Sequence, residues 1–397
     1  MAKALFFSFP LSGHIHPSLP LVRELVQRGD EIVYYATDAF AAKVEGAQAR
    51  YRPYRNPFLA NLQHLPEQLH ELSWLLLRTT AEVLDRELEA FRAERPDYVL
   101  TDSLAPWGQW VAALLGVPVV TSICTFAVNR RVLAFALTHG ARPKSLRLLL
   151  SKIRHSSRAL LLQRELRRRY GVPGPGLMGS VFRHSDLNIV YTSRSFQPCA
   201  DSFDDRFHFV GPSIAPRAES NDFSREQVRH PVVVYASLGT LFNTGIAFYR
   251  HCFEAWGGQD LQVILAIGTH ICPESRGVVP SNFIVQPYVP QLDVLPRATV
   301  FVTHGGMNSV NESLYYGVPV VVIPQMSEQE LVERRVEELG AGLYLAKKEA
   351  TPEKLRESVQ RLLTESRFRQ RAAQVGVSLR AAGGVTGAAD AIRAFTR

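Results

Sequence analysis

Short runs rich in Val, Ile and Phe alternate with longer amphipathic stretches along the whole chain, and this alternation restricts the possible folds more than any other feature. Such runs are typical of buried parallel strands, and the stretches between them of helical crossovers. Five strands are predicted in each half: 4–9, 31–36, 98–101, 117–122 and 187–191, then 232–236, 262–267, 283–286, 300–303 and 318–323. Each half is therefore predicted to form its own doubly wound α/β sheet.

The length of 397 residues indicates two domains, because a single hydrophobic core rarely extends beyond roughly 250–300 residues. We predict an N-terminal Rossmann-like domain over 1–215, a linker over 216–230 and a C-terminal Rossmann-like domain over 231–378. A final helix over 379–397 is predicted to pack on either domain, with packing back on the N-terminal domain as one alternative.

The net charge of +8 is concentrated in one segment. Residues 142–169 hold 10 basic residues and one acidic residue, whereas the remainder holds 35 and 36. Leucines interleave with the basic residues, a pattern that fits contact with an anionic membrane surface and, more commonly, a core helix whose arginines face water. Nucleic-acid binding is disfavoured, because the charge is not spread over a face and the segment contains no nucleic-acid-binding motif.

The spacing of the cysteines and the lengths of the apolar runs indicate the cellular compartment in which the protein is expected. The four cysteines lie far apart with no CxxC pair, which disfavours a disulfide framework or a zinc cluster and favours a reducing cytoplasm. The apolar N-terminus is interrupted by Pro10 and is interpreted as a buried strand rather than a signal peptide. No run reaches the 18 or so apolar residues of a membrane span. A cytoplasmic protein is therefore predicted.

The first candidate site lies after the first strand, where the chain reads GHIHP. Ligands of open parallel sheets bind beyond the carboxyl ends of the strands, so His14 in this loop, with His16 as its competitor, is a candidate general base. Asp102 follows the strand 98–101 at the same edge, and a carboxylate bonded to one imidazole nitrogen makes the other nitrogen more basic. The alternatives are a solvated or capping histidine and an aspartate that caps the next helix.

The second candidate site is the segment FVTHGGMNS at 301–309. A strand leads into two glycines and a helix start, which suits a diphosphate because glycines allow close approach and a helix N-terminus offers free N–H groups. The earlier segment VYASLGT would add the Ser237 and Thr240 hydroxyls and the Gly239 N–H. Neither GxGxxG nor GxxxxGK[ST] occurs, which disfavours a dinucleotide dehydrogenase or a P-loop enzyme.

Taken together, these motifs resemble the bacterial macrolide-type branch of the family 1 UDP-dependent glycosyltransferases, especially the broad-specificity bacillus-type glucosyltransferases. The resemblance rests on GHIHP, SLGT, YVPQLDVL at 288–295 and the block 303–330, and it extends over nearly the whole chain. It implies the GT-B architecture, in which two Rossmann-like doubly wound domains face each other across a cleft. The N-terminal domain would bind the acceptor and the C-terminal domain the UDP-sugar.

The resemblance also implies a role for each matching residue. His14 would be the base and Asp102 its partner. The remaining positions would bind the donor: uracil at Tyr288, Val289 and Gln291, the diphosphate at Ser237, Gly239, Thr240, His304, Gly306, Asn308 and Ser309, the ribose at Glu312, and the sugar hydroxyls at Glu328 and Gln329. For Glu328 the alternative is that it only opens the following helix.

An inverting transfer follows from this resemblance, in which a hexose, expected to be glucose, moves from UDP to a hydroxyl of a small hydrophobic acceptor such as a flavonoid, phenol, macrolide or polyketide. The product would be a β-glycoside, and no cofactor or metal ion is expected. Candidate acceptor contacts, which are equally typical of core helices, are His16, Phe58, Leu62, Trp74, Phe126 and Phe135. The alternatives are a diacylglycerol-type lipid glycosyltransferase at a membrane surface and a non-catalytic nucleotide-sugar-binding protein.

Overall fold

The computed structural model describes residues 1–60, 66, 69–138, 146–172, 185–215, 223–239, 246–268 and 278–396. The chain divides into two compact units. Unit 1 comprises Met1–Ser213 and Ala382–Arg397, and unit 2 comprises Ile214–Ala381. Each unit contains one parallel sheet with helices, so the prediction of two α/β domains is confirmed.

Unit 1 is built around a seven-stranded sheet. Its strands are β1 Lys3–Phe7, β2 Glu31–Ala36, β3 Arg50–Pro53, β4 Tyr98–Asp102, β5 Val119–Ile123, β6 Leu187–Val190 and β7 Phe207–Phe209. Its described helices are α1 Ser12–Gln27, α2 Ala41–Gly46, α3 Pro57–Ala60, α4 Leu69–Glu94, α5 Pro106–Leu115, α6 Arg130–Thr138 and α7 Leu146–Tyr170.

Unit 2 is built around a six-stranded sheet. Its strands are β8 Val233–Ser237, β9 Gln262–Ala266, β10 Phe283–Gln286, β11 Val300–Thr303, β12 Val320–Val322 and β13 Gly342–Tyr344. Its described helices are α8 Ile246–Trp256, α9 Gln291–Val294, α10 Met307–Tyr315, α11 Ser327–Glu338, α12 Pro352–Thr364 and α13 Ser366–Arg380. The chain then returns to unit 1 with α14, Gly384–Phe395.

The first six strands of each sheet are arranged in the same order. In unit 1 it is β3-β2-β1-β4-β5-β6-β7, and in unit 2 it is β10-β9-β8-β11-β12-β13. In both sheets, the first strand of the unit lies beside the fourth. The second and third strands lie on one side of the first strand, and the fourth to sixth strands lie on its other side. The carboxyl edge between these two strands is the topological switch point where such sheets bind ligands.

Alternating side chains of β1 enter two cores on opposite faces of the sheet. Leu5 and Phe7 pack with residues of α4 and α5, whereas Ala4 and Phe6 pack with residues of α1 and α14. All four side chains are at most 1% exposed. A strand buried on both faces needs a continuous apolar run, which explains why this segment is recognisable in the sequence.

The final helix completes the core of unit 1. Ala388, Ala389 and Ile392 are fully buried in the same cluster as Ala4 and Phe6. At the start of the helix, the Gly384 N–H donates to the Val210 carbonyl over 2.7 Å. Of the two alternatives for this helix, the structure shows packing on the N-terminal unit.

The described part of the segment predicted as a linker belongs to unit 2. Its residues 216–222 lie outside the described ranges. Residues 223–230 contain a short 3₁₀ turn at Arg225–Gln227, and Arg297 donates to the Val228 carbonyl over 3.3 Å. The unit boundary itself falls between Ser213 and Ile214.

The basic segment forms α7, apart from residues 142–145, which the structure does not describe. Ala159 and Leu166 are buried and belong to the same cluster as residues of α4. The arginines between 158 and 169 are exposed, as are Leu160 and Leu161. No described helix is long and apolar enough to cross a membrane.

Candidate active site

His14 lies inside α1, near its start, rather than in the loop predicted for it. The helix begins five residues before Pro17, because the N–H groups of His14 and Ile15 donate to the Leu11 carbonyl. The helix continues through Pro17 and Pro20, although each proline leaves one helix carbonyl without its usual N–H donor. The result is that a helix, and not a flexible loop, orients the imidazole.

The structure brings His14 and Asp102 into direct contact at the switch point of unit 1. The His14 Nδ1 atom lies 3.0 Å from both carboxylate oxygens of Asp102. The Leu104 N–H donates to Asp102 Oδ1 over 2.7 Å and fixes the carboxylate. His14 is 8% exposed and Asp102 is 2% exposed. With Nδ1–H donating to the carboxylate, the neutral imidazole has its lone pair on Nε2.

The surroundings of His14 set its proton affinity. Burial taken alone lowers the pKa of His14, but the charge of Asp102 and the contacts with Asp102 and Cys124 outweigh it and hold the pKa well above 6.5. A raised pKa makes the imidazole a stronger base once it is deprotonated. It also keeps the ring protonated until the pH exceeds that pKa.

Cys124 is a third member of this cluster that sequence reasoning missed. Its Sγ lies 3.0 Å from His14 Nδ1 and 3.9 Å from Asp102 Oδ2. The residue directly follows β5, which pairs with β4 so that Ser122 lies opposite Asp102. The available signal was its position after a buried strand, the same signal that identified Asp102.

His304 occupies the corresponding switch point of unit 2, directly after β11. Its ring lies between two glycines: a Cβ atom at Gly239 would be 2.7 Å from His304 Cε1, and one at Gly306 would be 2.5 Å from Nε2. Both glycines are therefore required for the ring to lie here. Burial lowers the pKa of His304 to about 4, against a smaller opposing effect of a hydrogen bond to the Ser237 backbone.

Around this ring, two backbone features present N–H groups. The Gly239 N–H points to Ser237 Oγ over 3.3 Å, with φ of +78° at the glycine. Gly306 is the N-cap of α10, and Asn308 and Ser309 lie in the first turn of this helix. Thr240, which was predicted to contribute a hydroxyl, lies outside the described residues.

Three of the predicted donor residues form one hydrogen-bonded group. Gln291 Nε2 donates to Glu312 Oε2 over 2.6 Å, and the Gln291 amide lies 3.4 Å from Ser309 Oγ. Glu312 is 3% exposed. Nearby in sequence, Tyr288 is 37% exposed and Val289 is buried. A flat, accessible ring at 288 is available for stacking on a base.

The two residues predicted to bind the sugar hydroxyls differ in exposure. Glu328 is exposed on the first turn of α11. Gln329 is buried, and its Oε1 accepts the N–H groups of Gln325 at 2.7 Å and Met326 at 3.3 Å. The amide oxygen of Gln329 is thus engaged in holding the loop before its own helix.

The predicted acceptor residues differ in burial. Phe126 is buried, at 3% exposed, and its ring centroid lies 5.5 Å from that of Phe196. Phe58 and Trp74 are partly buried and pack against the core cluster that contains residues of α4 and α5. Phe135 is partly buried on α6, and His16 is partly exposed with Nε2 2.9 Å from Lys43 Nζ. Leu62 lies outside the described residues.

Comparison with known proteins identifies relatives over the whole length. Residues 250–383 match the profile of a family described as erythromycin biosynthesis protein CIII-like, C-terminal domain. The chain is 36% identical to "Uncharacterized UDP-glucosyltransferase YojK" of Bacillus subtilis, over 99% of this chain and 97% of that protein. It is 35% identical to "NDP-glycosyltransferase YjiC" of the same species, over 98% and 96%.

A solved structure extends the likeness to three dimensions. The glycosyltransferase of kitacinnamycin matches with a TM-score of 0.85 and 31% identity, covering 100% of this chain and 99% of that one. The described switch-point residues therefore lie in a fold shared with sugar-transferring proteins.

Proposed function

Because the chain belongs to the family 1 UDP-glycosyltransferases and has their GT-B fold, we propose that it transfers glucose from UDP-glucose to a hydroxyl group of a small hydrophobic natural product. Membership establishes glycosyl transfer from a nucleotide sugar, while the sugar, the acceptor and the stereochemistry are proposed. The observation that carries the mechanism is the buried contact between His14 Nδ1 and the Asp102 carboxylate, at 3.0 Å.

The choice of donor is supported by relatives and by unit 2. The names of the two bacillus relatives specify a UDP-glucosyltransferase and an NDP-glycosyltransferase. Tyr288 is accessible for stacking on uracil, and the Gln291–Glu312 pair offers both a hydrogen-bond donor and acceptors. We propose that this group holds the nucleoside, with the carboxylate of Glu312 accepting from the ribose hydroxyls.

The choice of acceptor is supported by the natural-product relatives. The matched profile is named after an erythromycin biosynthesis protein, and the solved structure is that of the glycotransferase of kitacinnamycin. In unit 1, Phe58 and Trp74 are only partly buried. Aromatic side chains of this kind suit a flavonoid, phenol, macrolide or polyketide acceptor.

The proposed reaction is a single in-line displacement. His14 Nε2 accepts the proton of the acceptor hydroxyl while its oxygen attacks the anomeric carbon, and the bond from that carbon to UDP breaks. Asp102 stabilises the resulting imidazolium through Nδ1–H. Attack opposite the leaving group inverts an α-linked donor to a β-glycoside. A dyad of this kind also argues against a non-catalytic binding protein.

The charge that develops on the leaving diphosphate is stabilised by backbone N–H groups. The start of α10 after Gly306 supplies donors in a preorganised arrangement. With a pKa of about 4, His304 is neutral near pH 7 and contributes as an N–H donor rather than as a cation. The reaction then needs no metal ion, and activity is expected to persist in EDTA; an absolute requirement for Mg²⁺ would contradict this part.

Product masses test the proposal directly. The purified protein is incubated with UDP-glucose, other UDP-sugars and dTDP-sugars, together with phenolic and macrolide acceptors. An increase of one hexose with UDP-glucose, and its absence with His14→Ala, is the expected result. Transfer only from a dTDP-deoxysugar would overturn the proposed donor, and transfer by His14→Ala at the wild-type rate would overturn the proposed base.

A lipid acceptor is the second candidate, favoured by the exposed Leu160 and Leu161 among the arginines of α7. Such a surface suits an anionic bilayer. Flotation with phosphatidylglycerol vesicles at low salt distinguishes the two candidates. Binding that is lost in the double variant Leu160→Ser/Leu161→Ser supports the lipid acceptor, and absence of binding excludes it.

A further inference from the structure

The Cys124 thiol has no part in the proposed transfer, yet it lies against the dyad. Cys124 is 3% exposed, and its Sγ is 3.0 Å from His14 Nδ1 and 3.9 Å from Asp102 Oδ2. An imidazole nitrogen, a carboxylate oxygen and a sulfur therefore meet at one buried point. This is a donor set of the kind that transition metals bind, and nothing in glycosyl transfer calls for the sulfur.

We propose that His14, Asp102 and Cys124 form a Zn²⁺ site whose occupation stops the transferase. Zn²⁺ binds nitrogen and oxygen at about 2.0–2.2 Å and sulfur at about 2.3 Å in tetrahedral geometry, which places the ligand atoms roughly 3.3–3.6 Å apart. The observed separations are 3.0 Å for Nδ1 to Oδ2, 3.0 Å for Nδ1 to Sγ and 3.9 Å for Sγ to Oδ2. Side-chain shifts of about half an ångström would reach the tetrahedral values.

The neighbours of the three donors favour the same geometry. The Leu104 N–H holds Asp102 Oδ1, which leaves Oδ2 for the metal. The Phe9 ring packs against the edge of the His14 ring at a centroid distance of 5.7 Å. Ligands oriented by such contacts bind metals more tightly. Three protein ligands leave the fourth position for water, as in catalytic zinc sites.

The chemistry of the donors selects the metal. A thiolate and an imidazole favour Zn²⁺, whereas Mg²⁺ prefers oxygen ligands. The proposed site therefore differs from a Mg²⁺ site that assists a leaving diphosphate.

Metal binding at Nδ1 removes the base through a proton relocation. When Zn²⁺ takes the Nδ1 lone pair, the single proton of the neutral imidazole moves to Nε2, and the Cys124 thiol releases its proton to solvent. One proton leaves per metal bound, or two when the imidazole starts protonated. Nε2 then carries a hydrogen and is unable to accept one from the acceptor hydroxyl. Inhibition thus rests on the proposed role of His14, whereas metal binding does not.

The test measures inhibition and metal binding on the full-length protein. Turnover is titrated with Zn²⁺ in a non-chelating buffer, and each variant is referred to its own metal-free rate. Cys124→Ala and Cys124→Ser are expected to raise the half-inhibitory Zn²⁺ concentration by more than about tenfold, because each removes a direct ligand. EDTA is expected to restore the wild-type rate. Thermal melting without metal shows whether each variant is folded.

Binding is followed separately by the ultraviolet charge-transfer band of a Cd²⁺–thiolate bond. A band with one equivalent of Cd²⁺ in the wild type, and its loss in Cys124→Ser, supports the site. Equal inhibition of wild type and both Cys124 variants would overturn the site and leave the proposed function standing. A Cys124-dependent band with unchanged turnover would instead overturn the base role of His14 and the inhibition with it.

The matched control is His155→Ala. A second group of three possible metal ligands is formed by His70 and Glu71 of α4 and His155 of α7. Their ligand atoms lie within 4.8 Å of one another, and all three residues are partly exposed. Removing His155 breaks up this group without touching the dyad. The half-inhibitory Zn²⁺ concentration is expected to stay at the wild-type value, and a tenfold increase in this variant would place the inhibitory metal away from Cys124 and overturn the proposal.

Discussion

Each unit has a histidine at its switch point, His14 after the first strand of unit 1 and His304 after the fourth strand of unit 2, yet the two histidines have opposite electrostatics. His14 in unit 1 faces a carboxylate, and its pKa is raised well above 6.5. His304 in unit 2 lies between two glycines, and burial lowers its pKa to about 4. The switch point provides a position for a functional group, and the neighbouring side chain decides whether that group binds a proton or remains neutral.

Removing His14 should produce the largest effect. Loss of a general base typically lowers the rate by about 10² to 10⁴, so His14→Ala should lower kcat by that factor while the affinity for UDP, which we propose binds to unit 2, changes little. Steady-state kinetics and calorimetry with UDP measure the two quantities. His16→Ala is the control, because His16 is the competing candidate and its Nε2 lies 2.9 Å from Lys43 Nζ. A large loss in His16→Ala with an active His14→Ala would reverse the assignment.

Asp102→Asn should lower the rate by a factor that approaches loss of the base, up to about 10⁴. The asparagine oxygen can still accept the Leu104 N–H, but its NH₂ group would face Nδ1 and favour the tautomer with hydrogen on Nε2. The raised pKa of His14 also depends on the Asp102 charge. The acidic limb of the kcat/KM profile, expected above pH 6.5 in the wild type, should move to lower pH in the variant. An unmoved limb would show that another group titrates.

The two histidines should contribute to stability with opposite dependence on pH. The folded pKa of His304 is depressed, so its contribution is present above pH 6.5 and is lost as the pH falls towards about 4. Between pH 7 and pH 5 this amounts to at most about 2 kcal/mol, since partial exposure reduces it. The folded pKa of His14 is raised, so its contribution is complete below pH 6.5 and is lost as the pH rises through that pKa.

Urea unfolding of wild type, His304→Gln and His14→Gln at a series of pH values measures these contributions as differences between curves. The wild type should lose stability relative to His304→Gln on acidification from pH 7 to 5. Relative to His14→Gln it should lose stability as the pH rises above 6.5. Parallel curves for all three proteins would mean that neither histidine is perturbed as described.

Alanine variants of two glycines with similar φ angles should distinguish a steric clash with the His304 ring from backbone strain alone. Gly239 and Gly258 have φ of +78° and +70°, but only a Cβ at Gly239 meets the His304 ring, whereas Gly258 has open space. Alanine at either position should cost about 1 kcal/mol of unfolding free energy. Gly239→Ala alone should weaken UDP binding in calorimetry by about tenfold. Equal UDP affinities in the two variants would remove His304 from the donor site.

The central strands were predictable because burial on both faces leaves a continuous apolar run. The segments 31–36 and 300–303 were identified with their exact bounds. The edge strands Arg50–Pro53 and Gly342–Tyr344 were missed, because a short strand with a polar or glycine-containing sequence and one open edge has no such run.

The candidate site was predictable in part from strand ends. His14 follows β1 and Asp102 ends the adjacent strand β4, and their place at one edge of the sheet was predicted from these strand ends. Their pairing was implied by the family resemblance. The proximity of Cys124 depends on β5 lying beside β4 in a particular register, which periodicity does not specify. The capping bonds of Gln329 likewise depend on the conformation of the preceding loop.

The return of helix α14 to unit 1 has a consequence for synthesis. A chain emerging from the ribosome completes unit 2 at Ala381, whereas the first unit to be translated still lacks Ala388, Ala389 and Ile392 from its core. The half that contains the dyad therefore reaches its full core only after Ile392 has been translated. A message truncated after residue 381 would yield a protein with a complete unit 2 and an unfinished unit 1.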